Sequence, residues 1–450
     1  MESRSNTLWT FAITSVALFM VTLDNLVVTS ALPVIRHNLH ASLTQLEWTV
    51  NAYTLTFAVL LLTGAALGDR YGRRLMFSIG IGVFTLGSAV AAMSTTATGL
   101  DLARALQGVG GAIVTPLTLT LLSAAVPREK RPLVGGAIVE GLSWEWIFWV
   151  NVPIGLVLAP LAFFRLRESH GPADRLDLAG LGLASAGLLG IVWGLVRGNS
   201  VGWSSPEIVG SLVAGAIVLA LFVLWELRAP APMLPMRFFR NRTFALTNVS
   251  SLFMFFGMFG SIFLLIQFFQ TVQGYSPLQA GLRILPWTAM PIFIAPIAGA
   301  WSDRIGGQRL MAAGLALQAV GLAWIATVSS PTMPYSDVVA PFFLSGISMA
   351  LFFAPVANVV LSSVRPVEEG QASGANNAIR ELGGVFGVAV LASIFAHYGG
   401  YGAPQHFVDG LRPAVWVGAG LVGVGALAAL AIPGRRREAE APEPAFEAAS

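Results

Sequence analysis

The chain has 450 residues, 55% of them hydrophobic and only 11% charged, with a net charge of +3. A soluble domain carries about 25% charged residues, so this composition sets the chain apart from soluble enzymes and places it in the membrane-embedded class. With no cysteine there is neither a disulfide nor a thiolate metal site, five scattered histidines suggest no metal centre, and the small positive excess reads as loop orientation rather than affinity for nucleic acid.

A helix crosses the hydrocarbon core with about twenty apolar residues. By that measure the sequence predicts an all-α polytopic protein of about thirteen full spans. They lie at 8–35, 48–67, 75–94, 99–126, 148–164, 178–197, 208–226, 245–270, 279–300, 310–328, 338–361, 371–397 and 412–432. The first is too long for a signal peptide, contains Asp24 and ends at Pro33 without a small-residue cleavage site, so it reads as a retained span.

Between the second and third spans lies Gly64–Arg74, GAALGDRYGRR, a tight basic loop. Gly72 permits its sharp turn. Asp69, Arg70, Arg73 and Arg74 make it a candidate conformational latch, against the plainer reading of a positive-inside loop. A degraded copy, Gly299–Arg309 (GAWSDRIGGQR), adds Asp303 and Arg304. Two such loops predict two pseudo-symmetric helical halves. Basic residues gather on one side: a cytoplasmic N-terminus puts 20 of the 26 there, which predicts cytoplasmic N- and C-termini.

One segment resists the alternation. Arg128–Arg131 and Arg165–Arg175 both read as cytoplasmic, yet only residues 132–164 separate them, and two spans with a turn need roughly 40 or more. The fifth span is therefore expected to be truncated near 132–139. The expected organisation is an N-terminal half, 1–165; a linker, two inserted spans and a Pro/Arg-rich elbow, 166–243; a C-terminal half, 244–433; and a disordered tail, 434–450.

Ionisable side chains at depth are the candidate chemistry. Asp24 is an acid inside an apolar helix and could carry a proton or meet a cation; the alternative is a structural acid paired with a neighbouring helix. Arg104 holds its proton, so it could bias a nearby acid, or simply snorkel. Gln107 shares its helical face. Arg380 and Glu381 interrupt span 371–397, with Asn376 and Asn377 one turn earlier; they could line a cavity or make interhelical contacts. Gln267, Gln270, Gln318 and Asn358 are weaker candidates of the same kind. The chain has no GxxxxGK[ST] motif and no catalytic constellation, so neither ATP-driven transport nor an enzyme is expected.

Several motifs together resemble the major facilitator superfamily, in particular its fourteen-span drug:proton antiporter branch. They are LDNLVVTSALPVI (23–35), GDRYGRR (68–74), LARALQGVGGAIVTP (102–116), WEWIFWVNVPIG (144–155), GYSPLQAGLRILP (274–286) and GQASGANNAIRELGGVFGVAV (370–390). The resemblance implies a facilitator fold with two extra central spans in a bacterial cytoplasmic membrane. It implies a monomer that exports hydrophobic or cationic drugs by alternating access, with the proton gradient as energy source and no cofactor. It also implies proton coupling through Asp24 and Arg104 and a latch at the Asp69 loop. Of the branch's fifth-span antiport motif only PLVGG (132–136) survives. That departure leaves open a facilitator or importer without antiport, or a homologue that no longer transports.

Overall fold

The computed structural model describes residues 2–125, 146–170, 176–365 and 368–433, and among them every regular element is helical. The first half contains α1 (Glu2–Leu39), α2 (Leu43–Tyr71), α3 (Arg73–Ala92), α4 (Ala97–Ala125), α5 (Trp146–Trp149) and α6 (Asn151–Arg165). A hairpin, α7 (Leu178–Val201) and α8 (Pro206–Glu226), and a 3-10 turn at Met236–Arg240 lead to the second half. That half contains α9 (Arg242–Thr271), α10 (Pro277–Thr288), α11 (Met290–Ile305), α12 (Gly307–Val328), α13 (Ser336–Leu361), α14 (Glu369–Tyr398) and α15 (Pro404–Leu430). Ten helices are long and apolar enough to cross a membrane, α10 and α11 counting as one over Gln279–Ser302. α1 and α4, with 38 and 29 residues, also have the length, and α6 is a shorter apolar helix. A helix therefore occupies each of the thirteen expected crossings.

The boundaries differ where caps overrule hydropathy. α2 starts at Leu43, not near 48, because Ser42 and Gln45 form a capping box: Gln45 N donates to Ser42 Oγ (3.3 Å) and Ser42 N to Gln45 Oε1 (2.9 Å). α15 starts at Pro404 rather than 412, since proline suits the first turn. The single span expected at 279–300 is divided at Ala289, with Pro286 before the break and Pro291 and Pro296 after it.

The repeat is visible in the backbone. Gly72 separates α2 from α3 at φ +105°, and Gly306 separates α11 from α12 at φ +98°. These are the same left-handed break, 234 residues apart (306 less 72). We call the end of the bundle carrying these glycines the basic end.

α2 and α4 run parallel in close contact, from Thr49 beside Asp101 to Gly68 beside Leu117. A Cβ on Gly108 would lie 2.6 Å from the Tyr53 carbonyl oxygen, and one on Gly68 would meet Leu117. α6 begins beside Asp24, through Asn151, and the chain beyond it reaches the basic end, where Glu168 caps the Gly72 loop. α4 and α6 are thus parallel, and the connection from Ala125 to Trp146 joins opposite ends of the bundle. In the second half α14, with 30 residues, connects α13 to α15. The truncated span expected near 132–139 lies outside the described residues, as does the tail 434–450.

Three apolar cores hold the molecule. One lies in the first half, among α1–α4 and α6, and takes in Ala378 of α14. A second attaches α7 and α8 to α2 and α14. The third joins the halves at the end away from the basic loops, packing Leu32, Ile35, Leu46 and Val50 with Phe263, Phe268, Trp287 and Phe395. The structure is therefore shut at that end. Among the described residues no ion pair ties the basic loop of the first half to the second half.

Candidate functional site

Asp24, Arg104 and Gln107, predicted from the sequence, meet inside the first half. Arg104 NH1 donates to Asp24 Oδ2 and, at 2.8 Å, to Gln107 Oε1. Gln107 Nε2 and Asn151 Nδ2 each donate to Asp24 Oδ1 at 3.0 Å. Arg104 Nε is held by the Thr49 carbonyl (3.1 Å), and Gln107 Nε2 also reaches Ser88 Oγ (2.7 Å). The side chains of the pair have no solvent exposure. Residues 104 and 107 face the same way because they are three apart on α4. Gly87 leaves room for Gln107, whose Cγ would lie 2.8 Å from a Cβ there.

Removing one member of such a pair typically costs about 3–5 kcal/mol, because the other charge is left buried alone. The pair is satisfied save at one point: Arg104 NH2 is buried without a partner. The guanidinium also lies 4.3 Å from the Tyr53 ring centroid and 5.9 Å from that of Phe148. Tyr53 is within electrostatic reach of Asp24, Arg104 and Glu381, so the pair and the second half come together around this ring. Arg380 donates to Asn377 Oδ1 (2.9 Å) and lies 4.5 Å from the Phe255 ring centroid. Asn376 Nδ2 donates to Asn248 Oδ1 (3.0 Å) and Ser251 Oγ (3.1 Å), joining α14 to α9.

The remaining amides lie elsewhere. Gln267 accepts from Tyr401 Oη near the end away from the basic loops. Asn358 is exposed near the end of α13, apart from the other candidates.

At the basic loop, Asp69 Oδ1 accepts from Arg73 Nε (2.9 Å) and NH2 (2.8 Å). Arg70 lies over Tyr71, 5.2 Å from its ring centroid. Glu168 accepts from the backbone nitrogens of Arg74 (2.8 Å) and Leu75 (3.3 Å), and pairs with Arg74 Nε at 3.5 Å. A carboxylate there caps the N-terminus of α3 and complements its dipole. In this state the loop is clasped by the chain following α6 in its own half. Arg304 is exposed at the end of α11; the side chain of Asp303 lies outside the described residues.

Sequence reasoning missed Asn151, Ser88 and Thr49 around the pair, and Glu168 at the loop. Asn151 had a signal, since it falls within the stretch WEWIFWVNVPIG. Glu168 read only as part of a polar linker.

The chain matches the family model described as Major Facilitator Superfamily over residues 14–134, 131–388 and 249–450. It is 34% identical to the Multidrug resistance protein Stp of Mycobacterium tuberculosis over 86% of this chain and 76% of that protein. It is 35% identical to the Cephamycin export protein CmcT of Amycolatopsis lactamdurans over 84% of this chain and 82% of the relative. Among solved structures it resembles the xylose transporter XylE from E. coli, with a TM-score of 0.60, 13% identity, and coverage of 96% of this chain and 99% of that one. The last likeness speaks to the fold alone.

Proposed function

The chain belongs to the Major Facilitator Superfamily, and from that premise we propose that it exports hydrophobic or cationic small molecules, antibiotics among them, in exchange for protons. The names of its relatives, a multidrug resistance protein and a cephamycin export protein, support export. The observation that carries the proton role is the buried Asp24–Arg104 pair. Asp24 is the proton carrier, and Arg104, which cannot lend its own proton, sets how readily Asp24 takes one. Protonating Asp24 would release the guanidinium, whose idle NH2 already lacks an acceptor, toward Tyr53 and the seam. Glu381, across the seam from Tyr53, supplies negative charge for a cationic substrate, and Phe255, Phe353 and Tyr53 supply aromatic surface for its apolar part. Transport then follows if proton and substrate favour opposite access states.

In this reading the basic end is cytoplasmic, as the arginine bias favours. The chain is a monomer of the fourteen-span branch, in a bacterial cytoplasmic membrane, with a shortened fifth crossing and no cofactor. Dye efflux from everted vesicles under an imposed pH gradient tests the reading. Asp24→Asn should abolish gradient-driven export while the protein still inserts; export equal to the parent's would sink the proton role.

A further inference from the structure

The end of the bundle away from the basic loops holds a second set of buried polar groups. Glu47, one turn beyond the start of α2, is 2% exposed, and its Oε2 has no hydrogen-bond partner. Asn51, one turn further, is fully buried, and neither its Nδ2 nor its Oδ1 is partnered. Residues four apart on a helix stand about 40° from each other, so these idle atoms share one face. That face is turned to the second half. On one flank Leu46 and Val50 pack into the core that joins the halves; on the other Leu55 and Val59 pack with Val385 and Ala389 of α14.

The Arg36 guanidinium of α1 lies 3.5 Å from the ring centroid of Tyr401 in the α14–α15 connection, and Tyr401 Oη donates to Gln267 of α9. Tyr401 is within electrostatic reach of both Arg36 and Glu47. First half and second half therefore close over Glu47 here.

The other charged and titratable groups nearby are engaged elsewhere. On α4, Asp101 accepts from Thr49 Oγ1 and Arg104 binds the Thr49 carbonyl, about half a turn around α2 from Glu47. On α7, Arg197 pairs with Glu207. At the end of α14, the rings of His397 and Tyr398 meet edge to face. An ionised carboxylate sealed in with no donor is a costly arrangement. A carboxylic acid is not, because its O–H can donate to Asn51 Oδ1 while its other oxygen accepts from Asn51 Nδ2, directly or through one buried water.

We propose that Glu47 is a second proton-binding site, at the gate opposite the basic loops, and that this gate closes over Glu47 only in its neutral form, with Asn51 as the polar group that receives it. The proposal rests on the antiport reading for its purpose but not for its test. The proton comes from solvent on the side the open gate faces and stays on the carboxyl until the gate reopens.

The native chain has no cysteine, so Ala41→Cys, inside the closed gate, reports opening through its labelling by an impermeant maleimide. Thr95→Cys, exposed at the same end, corrects for the reagent's own pH dependence. In reconstituted vesicles without substrate or gradient, the corrected labelling of Ala41→Cys should fall several-fold from about pH 8 to about pH 5. Added Glu47→Gln should hold it low throughout, whereas Glu47→Asp, which keeps a carboxyl, should retain the response. A response that survives Glu47→Gln, is absent from the parent, or disappears in Glu47→Asp overturns the proposal. So does a response lost equally in Asp24→Asn with Glu47 intact. Export that fails while this gating response persists would count against the antiport reading alone.

Discussion

The Arg104 guanidinium gathers acceptors from α1, α2 and α4 at once, through Asp24, Thr49 and Gln107. A lone ammonium could not span them, nor could an amide replace the charge. Arg104→Gln should therefore lower stability by about 3–5 kcal/mol, because Asp24 is left buried and unpaired. Adding Asp24→Asn should recover part of that loss. Thermal unfolding of the detergent-solubilised single and double variants checks this, and strictly additive losses would mean that the two residues are not coupled. Asp24, Arg104 and Gln107 were legible in the sequence because each interrupts an apolar run. Ser88 and Thr49 were not, since small hydroxyl residues are ordinary in membrane helices and nothing marks those that face a charge. Glu47 was hidden by its position, just outside the span expected at 48–67. Only the Ser42–Gln45 capping signal, read as the start of a helix, would have drawn it inside.

Among the elements, the connection before α14 has the clearest pH behaviour. Glu368 accepts from Arg365 NH2 (2.5 Å) and pairs with Arg237 of the elbow (2.8 Å). Asn241 of the elbow also donates to the Ser363 carbonyl (2.7 Å). The Arg365 hydrogen bond, ahead of the neighbouring charges, holds the Glu368 carboxyl down at about 2. The unfolded chain would titrate it near 4.3, at roughly the usual glutamate value. Its contribution is thus fully present above that value and is lost as pH falls toward about 2. Glu368→Gln should lower the melting temperature equally at about pH 6 and about pH 8, with the difference shrinking below about pH 4. A difference that varied between pH 6 and 8 would show that another group is involved. This clasp therefore takes no part in sensing a physiological proton gradient. The elbow was legible as a Pro- and Arg-rich stretch, but its anchor was not, because Glu368 and Arg237 are far apart in sequence.

At the scale of the whole molecule, the arrangement in two halves was written in the two glycine-bearing loops, and the structure repeats it in matching backbone angles at Gly72 and Gly306. Charge alternation pointed to a short stretch between two cytoplasmic runs, near 132–139, and that stretch lies outside the described residues. What hydropathy could not convey was which helices face each other across the seam, since every span is apolar on most sides. Orientation is testable in the cysteine-free background. Ser169→Cys, beside the Gly72 loop, should be labelled by an impermeant maleimide only in everted vesicles, and Thr95→Cys only in intact cells; the reverse pattern would invert the topology.

The hairpin of α7 and α8 grips its two neighbours unequally. To α14 it is fastened by polarity, with Asn199 Nδ2 donating to Ser393 Oγ at 2.9 Å. Against α2 it offers mainly grease: Leu188 and Val192 beside Leu55 and Val59, and Trp193 tilted against Trp48 with ring centroids 5.8 Å apart. Apolar contacts have no preferred direction and re-form after a small slide, whereas a hydrogen bond does not. If the halves rock, this asymmetry makes the hairpin a fender bolted to the second half, with the outer flank of α2 as the rail along which it would run.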